Sequence, residues 1–192
     1  MSTVIPPLAD ARKLLYTVIS APQILRHSEA TRVKAVQIAS MIAAKIRCDT
    51  RLVELGGLLH DIGRAKSHDV THGYVGGRLL LKHQYPNDIR MIVERHVLGG
   101  FTKFEAESLG LPKRDSIPQS WEEKIVCVAD KLGVYDWEGI NQPQDWLNKV
   151  NKRFSRLTQR YGTTEPYKSS MERARQFTQE LAFHALTIMK TK

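Results

Sequence analysis

Along most of the chain apolar residues recur every three or four positions, and the strict alternation of a half-buried strand is scarce. That spacing predicts helices over 8–19, 22–46, 50–62, 72–83, 87–97, 103–109, 121–135, 144–161 and 167–190, hence an all-α fold. Two starts carry the spacing of a capping box, Thr102 with Glu105 and Ser120 with Glu123, and Pro112 and Pro118 bracket the loop between them. Gly76 and Gly77 interrupt a helical stretch, which points to close approach by another helix or a ligand.

Certain polar residues break the pattern. His27, the pair His60 and Asp61, His72, His96 and Asp130 each stand where the spacing calls for a buried apolar side chain. His60 and Asp61 end the run from Leu58 and Leu59, just before Ile62 and a glycine, Gly63, suited to the position after a helix end. Asp130 finishes the run from Ile125 to Ala129, where an unpaired carboxylate would be costly. His96 shares a helix face with Ile92 and Val93, His72 opens the helix of Val75 and Leu79, and His27 lies one turn past Ile24. Taken singly, a buried histidine is ordinarily a hydrogen-bonded core residue and a buried aspartate a cap or ion-pair partner. Taken together, imidazoles and carboxylates form a ligand set for Zn, Mn, Fe, Co or Ni.

The ordered set His27, His60-Asp61, His72, His96, Asp130 resembles the HD-domain superfamily of metal-dependent phosphohydrolases. The local strings Leu59-His60-Asp61-Ile62-Gly63 and Glu123 to Leu132 carry the same resemblance, over about 27–132. More narrowly, the segment from Gly99-Gly100-Phe101-Thr102 to Leu109-Gly110-Leu111-Pro112 is similar to small, mostly archaeal HDIG-type proteins. A looser similarity is to bacterial HD proteins that split dinucleoside tetraphosphates. The resemblance implies an HD-domain helical bundle in which His27, His60, Asp61 and Asp130 hold a first metal and Asp61 bridges. It also implies that His72 and His96 hold a second. Where related sites often place a lysine shortly after the His-Asp pair, this chain has Arg64, with Lys66 two positions on. Either is expected to hold a substrate phosphate, the alternative being that it complements the preceding helix end. His68 stands open between metal, substrate and solvent, and His83 and His184 fall outside the pattern. Glu29, Glu94, Lys103 and Lys131 are weaker candidates for substrate contact.

Composition narrows the class. With 192 residues and 42% hydrophobic content the chain can form one domain over 1–192, read as an HD core of about 22–135 and a C-terminal helical extension of about 136–192. No apolar run is long enough to span a membrane and no secretory signal is expected at the N-terminus. Cys48 and Cys127 read as reduced buried thiols, so a cytoplasmic location is expected. Residues 138–143 read as a connector. After it Trp146, Val150, Phe154, Leu157 and Tyr161 form a stripe expected to pack on the core, with a homodimer contact as the alternative. The net charge of +9, from 29 Lys and Arg against 20 Asp and Glu, attracts anions, and part of the excess lies at Lys149, Lys152, Arg153, Arg156 and Arg160. For those five a solvated helix face is the expected role. P-loop, Rossmann, Gly-x-Ser-x-Gly and His-Glu-x-x-His signatures are absent, and no nucleic-acid-binding motif accompanies the basic residues.

The expected function is therefore that of a metal-dependent phosphohydrolase. It would act on a small phosphorylated substrate, a nucleotide or another phosphate ester or anhydride, through a metal-activated water at a dinuclear centre. Asp61, Arg64 and Lys66 are the expected catalytic residues, and one or two divalent transition metals the cofactor. A diiron oxygenase of the same fold and a non-catalytic nucleotide-binding regulatory module are the alternatives.

Overall fold

A computed structural model describes residues 4–132 and 142–190. Nine α-helices follow one another among them: α1 (Leu8–Val18), α2 (Pro22–Ile42), α3 (Thr50–Leu59), α4 (His72–Lys82), α5 (Asn87–Arg95), α6 (Lys103–Ser108), α7 (Trp121–Ala129), α8 (Trp146–Tyr161) and α9 (Tyr167–Met189). Short 3-10 turns cover Ile62–Ala65 and Pro143–Asp145, and no strand occurs among the described residues. The expected helix end at Tyr135 and most of the connector fall outside the described residues.

Local chemistry sets several of these boundaries. The Asp49 carboxylate accepts from the Arg51 and Leu52 amides and starts α3. Thr102 and Glu105 complete a reciprocal capping box on α6. The second expected box stays half formed. Ser120 accepts from the Glu123 amide, but the Glu123 carboxylate turns to the Gln119 amide at 2.6 Å and to Arg95 at 2.8 Å. A guanidinium outcompetes the N-cap amide for it.

The helices share two apolar clusters. In the larger, Ile38 and Ile42 of α2 and Val126 and Val128 of α7 pack with Trp146, Val150 and Phe154 of α8 and Leu181 of α9. In the smaller, Leu15 of α1, Leu58 and Leu59 of α3, Leu80 of α4 and Ile89 of α5 gather. α3 belongs to both, with Val53 in the first and Leu55, Leu58 and Leu59 in the second. Its C-terminal end therefore lies deep in the molecule. The stripe along α8 does join the core, since Trp146, Val150 and Phe154 are fully buried.

Several helices stop earlier than their apolar spacing suggests, α2 at Ile42 rather than at residue 46 among them, and three of these ends bear on the site. α3 ends at Leu59 rather than at residue 62, α5 at Arg95 rather than 97, and α7 at Ala129. His60, His96 and Asp130 consequently occupy the C-cap positions. Gly63 also departs from expectation, because it is not among the glycines with positive φ, which are Gly100, Gly110 and Gly162. It lies in the 3-10 turn against the start of α4, where a methyl group would overlap the His72 carbonyl oxygen and the Gly76 amide. Gly76 and Gly77 serve the same closeness, facing Val93 and Glu94 of α5.

Gly63→Ala should thus cost about 3 kcal/mol or more, since the obstructing atoms are backbone. Gly110→Ala, at φ +70° with open space around it, should cost about 1 kcal/mol. Urea unfolding of the two variants would check the order.

Candidate metal centre

Five helices or their ends bring the six polar residues into one buried cluster. His27 comes from the middle of α2, His60 and Asp61 from the end of α3, His72 from the first position of α4, and His96 and Asp130 from the ends of α5 and α7. His60, His72 and His96 share a local device. Each turns Nδ1 to the carbonyl three residues back: His60 to Gly57 at 2.9 Å, His96 to Val93 at 2.7 Å, and His72 to Asp69. At His60 and His96 the end of the helix leaves that carbonyl without an intrahelical amide partner, whereas the Asp69 carbonyl, just before α4, also accepts from the His72 amide at 3.3 Å. Because a carbonyl only accepts, Nδ1 must carry the hydrogen and donate it, which leaves Nε2 bare and facing inward.

The inward nitrogens lie close together. His72 Nε2 and His96 Nε2 are 3.2 Å apart, as are His27 Nε2 and His60 Nε2. Two neutral imidazoles that both donate through Nδ1 would meet at His72 and His96 lone pair to lone pair, so that contact calls for an electrophile between them. Two nitrogens about 2.1 Å from one ion, at angles between square and tetrahedral, stand about 3.0–3.4 Å apart. The separations match, and His27 Nδ1 is a buried nitrogen without a partner. The donor set therefore suits a metal ion, with His27, His60 and Asp130 as one group that could hold it and His60, Asp61 and His96 as another.

Asp61 divides its two oxygens between the imidazoles. Oδ1 lies 3.1 Å from His72 Nε2 and 3.6 Å from His96 Nε2, whereas Oδ2 lies 3.6 Å from His60 and 3.8 Å from His27. Oδ2 also accepts from Arg64 Nε at 2.7 Å. Asp130 Oδ1 is 2.8 Å from His27 Nε2 and 3.6 Å from His60 Nε2. Its Oδ2 accepts from Lys131 Nζ at 3.1 Å, and the same ammonium donates to the His96 and Cys127 carbonyls. Lys131 is only 1% exposed, so its charge acts on Asp130 with little screening.

These contacts set the protonation states. Burial pushes both aspartates up, but His60, His72 and His96 outweigh it at Asp61, and Lys131, His27 and His60 at Asp130, so both lie well below the usual carboxylate range. Burial also disfavours the charged form of His60, yet Asp61 and Asp130 prevail and raise it. At His96 burial dominates, with the neighbouring His60 and His72 opposing charge as well, and its pKa falls to about 3.

A cleft of about 310 Å³ opens over the cluster, lined by His27, Asp61, Arg64, His68, Arg153 and Arg160 among others. Arg64 thus sits beside the candidate ligands, held by Asp61. Lys66 does not join it. That side chain is exposed and lines a separate cavity with Tyr74, Arg78 and Lys82, because the 3-10 turn carries it away from the cleft. His68 is exposed at the rim, and its carbonyl accepts from Arg160. Of the weaker candidates, Glu29 is tied to Arg12 and Arg32, Glu94 pairs with Arg114, and Lys103 lies over Phe104. Lys131 supports Asp130 from inside the core rather than reaching a substrate. Sequence reasoning assigned Arg153 and Arg160 to a solvated face, and the structure turns them onto the cleft. Their four-and-three spacing beside the apolar stripe is visible in the sequence, but what that flank of the helix meets is not.

A family model of the HD domain matches residues 25–134. An uncharacterised protein of Methanocaldococcus jannaschii is 37% identical over 139 residues, covering 72% of this chain and 81% of that one. A tRNA (cytidine(56)-2'-O)-methyltransferase of Picrophilus torridus is 45% identical over 109 residues, 57% of this chain and 31% of the methyltransferase, so the chain spans about a third of that relative's length. Among solved structures, the HD domain of the L. monocytogenes phosphodiesterase PgpH in complex with cyclic-di-AMP is similar in fold. Its TM-score is 0.51 at 17% identity, with 91% of this chain and 94% of that chain covered.

Two outcomes follow for the metal-free protein. The unfolded chain takes up a proton at His96 below about pH 6.5, while the folded chain does so only near pH 3. Stability should therefore fall by about 2–3 kcal/mol between pH 6.5 and 4.5. Urea unfolding in chelator should show this slope in the parent and a flatter one in His96→Leu. Lys131→Met, which strips Asp130 of its buried cation, should cost about 3–5 kcal/mol in the same assay.

Proposed function

The chain belongs to the HD-domain family, and on that premise we propose that it is a phosphohydrolase using two divalent transition-metal ions, with a nucleotide ester or anhydride as substrate. His27, His60, Asp61 and Asp130 would hold one ion, and Asp61, His72 and His96 the other. The observation that carries this reading is the division of Asp61: one oxygen faces His72 and His96, the other faces His60 and His27. A carboxylate placed so would serve two ions at once, and both pairs of imidazoles account for its burial.

When bound, such ions supply Lewis acidity, lowering the pKa of a water for attack and neutralising charge on a phosphoryl group. The remaining work falls to the protein. The Nδ1 bonds of His60, His72 and His96 hold the rings in one orientation and one tautomer. Asp61 accepts from Arg64 Nε and so fixes the guanidinium at the floor of the cleft, with its terminal nitrogens as donors for a phosphoryl oxygen. Lys131 keeps Asp130 ionised and aimed at His27 and His60. We also take residues 1–192 as one unit, with a core of about 22–135 and a helical extension of about 136–192, because α8 and α9 complete the apolar cluster of α2 and α7. No described helix is long and apolar enough to cross a membrane. The cyclic-di-AMP bound by the PgpH domain makes cyclic dinucleotides natural members of a substrate panel.

Elemental analysis of gently purified protein should find close to two ions per chain, and His72→Ala or His96→Ala should reduce this to one. Asp61→Ala should lose both ions together with hydrolysis of a panel of mononucleotides, read as phosphate release, and of cyclic nucleotides and dinucleoside polyphosphates, read as nucleotide products, supplied with Mn, Co, Ni or Fe. Helical content should stay largely in place. A metal-free Asp61→Ala protein that still hydrolyses its substrate would overturn the proposal, and full metal loading without hydrolysis of anything would direct attention to a regulatory or oxygen-dependent role.

A further inference from the structure

We propose that α8 builds a second phosphate subsite beside the metal centre, so that the substrate carries at least one phosphate group beyond the one being cleaved. This rests on the phosphohydrolase reading above and deepens it. The argument begins with the packing of α8. Trp146, Val150 and Phe154 are fully buried, which fixes the rotation of the helix about its own axis. Alongside that apolar strip runs a basic one, Lys149, Arg153, Arg156 and Arg160, at spacings of four, three and four. Burying the first strip decides where the second one points. Arg153 and Arg160, two turns and about 10 Å apart along the helix, reach the cleft whose floor holds Asp61 and His27.

The charges in this cleft are unbalanced. Asp61 is the one carboxylate among the described residues that line it, and Arg64 already answers it at 2.7 Å. Arg153 has no ion pair with a described carboxylate. Arg160 donates to the His68 carbonyl and lies over the Tyr161 ring at 5.3 Å, contacts that hold it at the rim without neutralising it. A substrate with a single phosphate group at the floor would leave both guanidinium groups unanswered. Forked, permanently charged donors on a fixed helix suit another phosphate, and about 310 Å³ is room enough for a short phosphate chain. The subsite belongs to the extension after the HD core, so the six-residue set does not imply it.

Calorimetric titration of the metal-loaded full chain, in excess magnesium, with inorganic orthophosphate and inorganic tripolyphosphate tests this. Tripolyphosphate should bind at least about tenfold more tightly than orthophosphate. Arg153→Ala and Arg160→Ala should each remove about tenfold of tripolyphosphate affinity and leave orthophosphate binding nearly unchanged. Lys152→Ala, an exposed position about a quarter turn away on the same helix, should change neither. Equal affinity for the two anions, or equal losses in all three variants, would overturn the subsite. So would an unphosphorylated single-stranded oligonucleotide whose binding, unlike that of tripolyphosphate, depends on the two arginines, since the ligand would then be a nucleic-acid strand. Failure of the hydrolysis assays with the tripolyphosphate preference intact would sink the phosphohydrolase reading and leave the anion subsite standing.

Discussion

His60, His72 and His96 each give the Nδ1 hydrogen to a carbonyl three residues back, and because that carbonyl can only accept, each ring keeps a bare Nε2 turned into the protein. Much of the centre depends on this bond. It explains why His60 and His96 stand at the C-terminal ends of α3 and α5, where carbonyls lack amide partners. It turns the facing nitrogens of His72 and His96 from a hydrogen-bonded pair into a pair of opposed lone pairs. And it makes proton uptake a poor remedy at His96, whose pKa burial carries down to about 3. A cation from outside meets the same need without having to ionise a buried ring.

Positions of this kind can be read in a sequence because the cost of burying polarity is high and the apolar pattern around them is strong. His60 after Leu58 and Leu59, and Asp130 after the run from Ile125, stand out for that reason alone, and the helices around them follow from three-to-four spacing. Their exact ends did not. Apolar residues continue past Leu59 and Arg95, so periodicity extends α3 and α5, whereas the turn of each histidine onto its i−3 carbonyl closes them. Gly63 shows the opposite ambiguity. Glycine after a helix suggests a left-handed residue, but the constraint here is contact with the backbone of α4, which only the tertiary structure reveals.

The extension after the core was the least legible part for a related reason. Lys149, Arg153, Arg156 and Arg160 look locally like any solvated helix face, and nothing within α8 shows that Arg153 meets a cleft and Lys152 only water. What separates them is the burial of Trp146, Val150 and Phe154 against residues far away in sequence. Lys131 was hidden in the same manner. Standing next to a candidate ligand, it suggested a substrate contact, whereas its three donors are used by Asp130 and by the carbonyls of His96 and Cys127.

Charge balance joins the two halves of the molecule. In the cluster Asp61 is matched by Arg64 and Asp130 by Lys131, so the carboxylates and their cations offset each other before any ion is considered. Two divalent ions would then bring their own charge into a site whose imidazoles are neutral donors, and among the described residues that line the cleft there is no carboxylate besides Asp61 to absorb it. Arg153 and Arg160 add to the excess rather than relieve it. On the two-ion reading, such a site would reach charge balance with an anion of several charges in place, so the ligands and the extension together favour the polyanionic character of the proposed substrate.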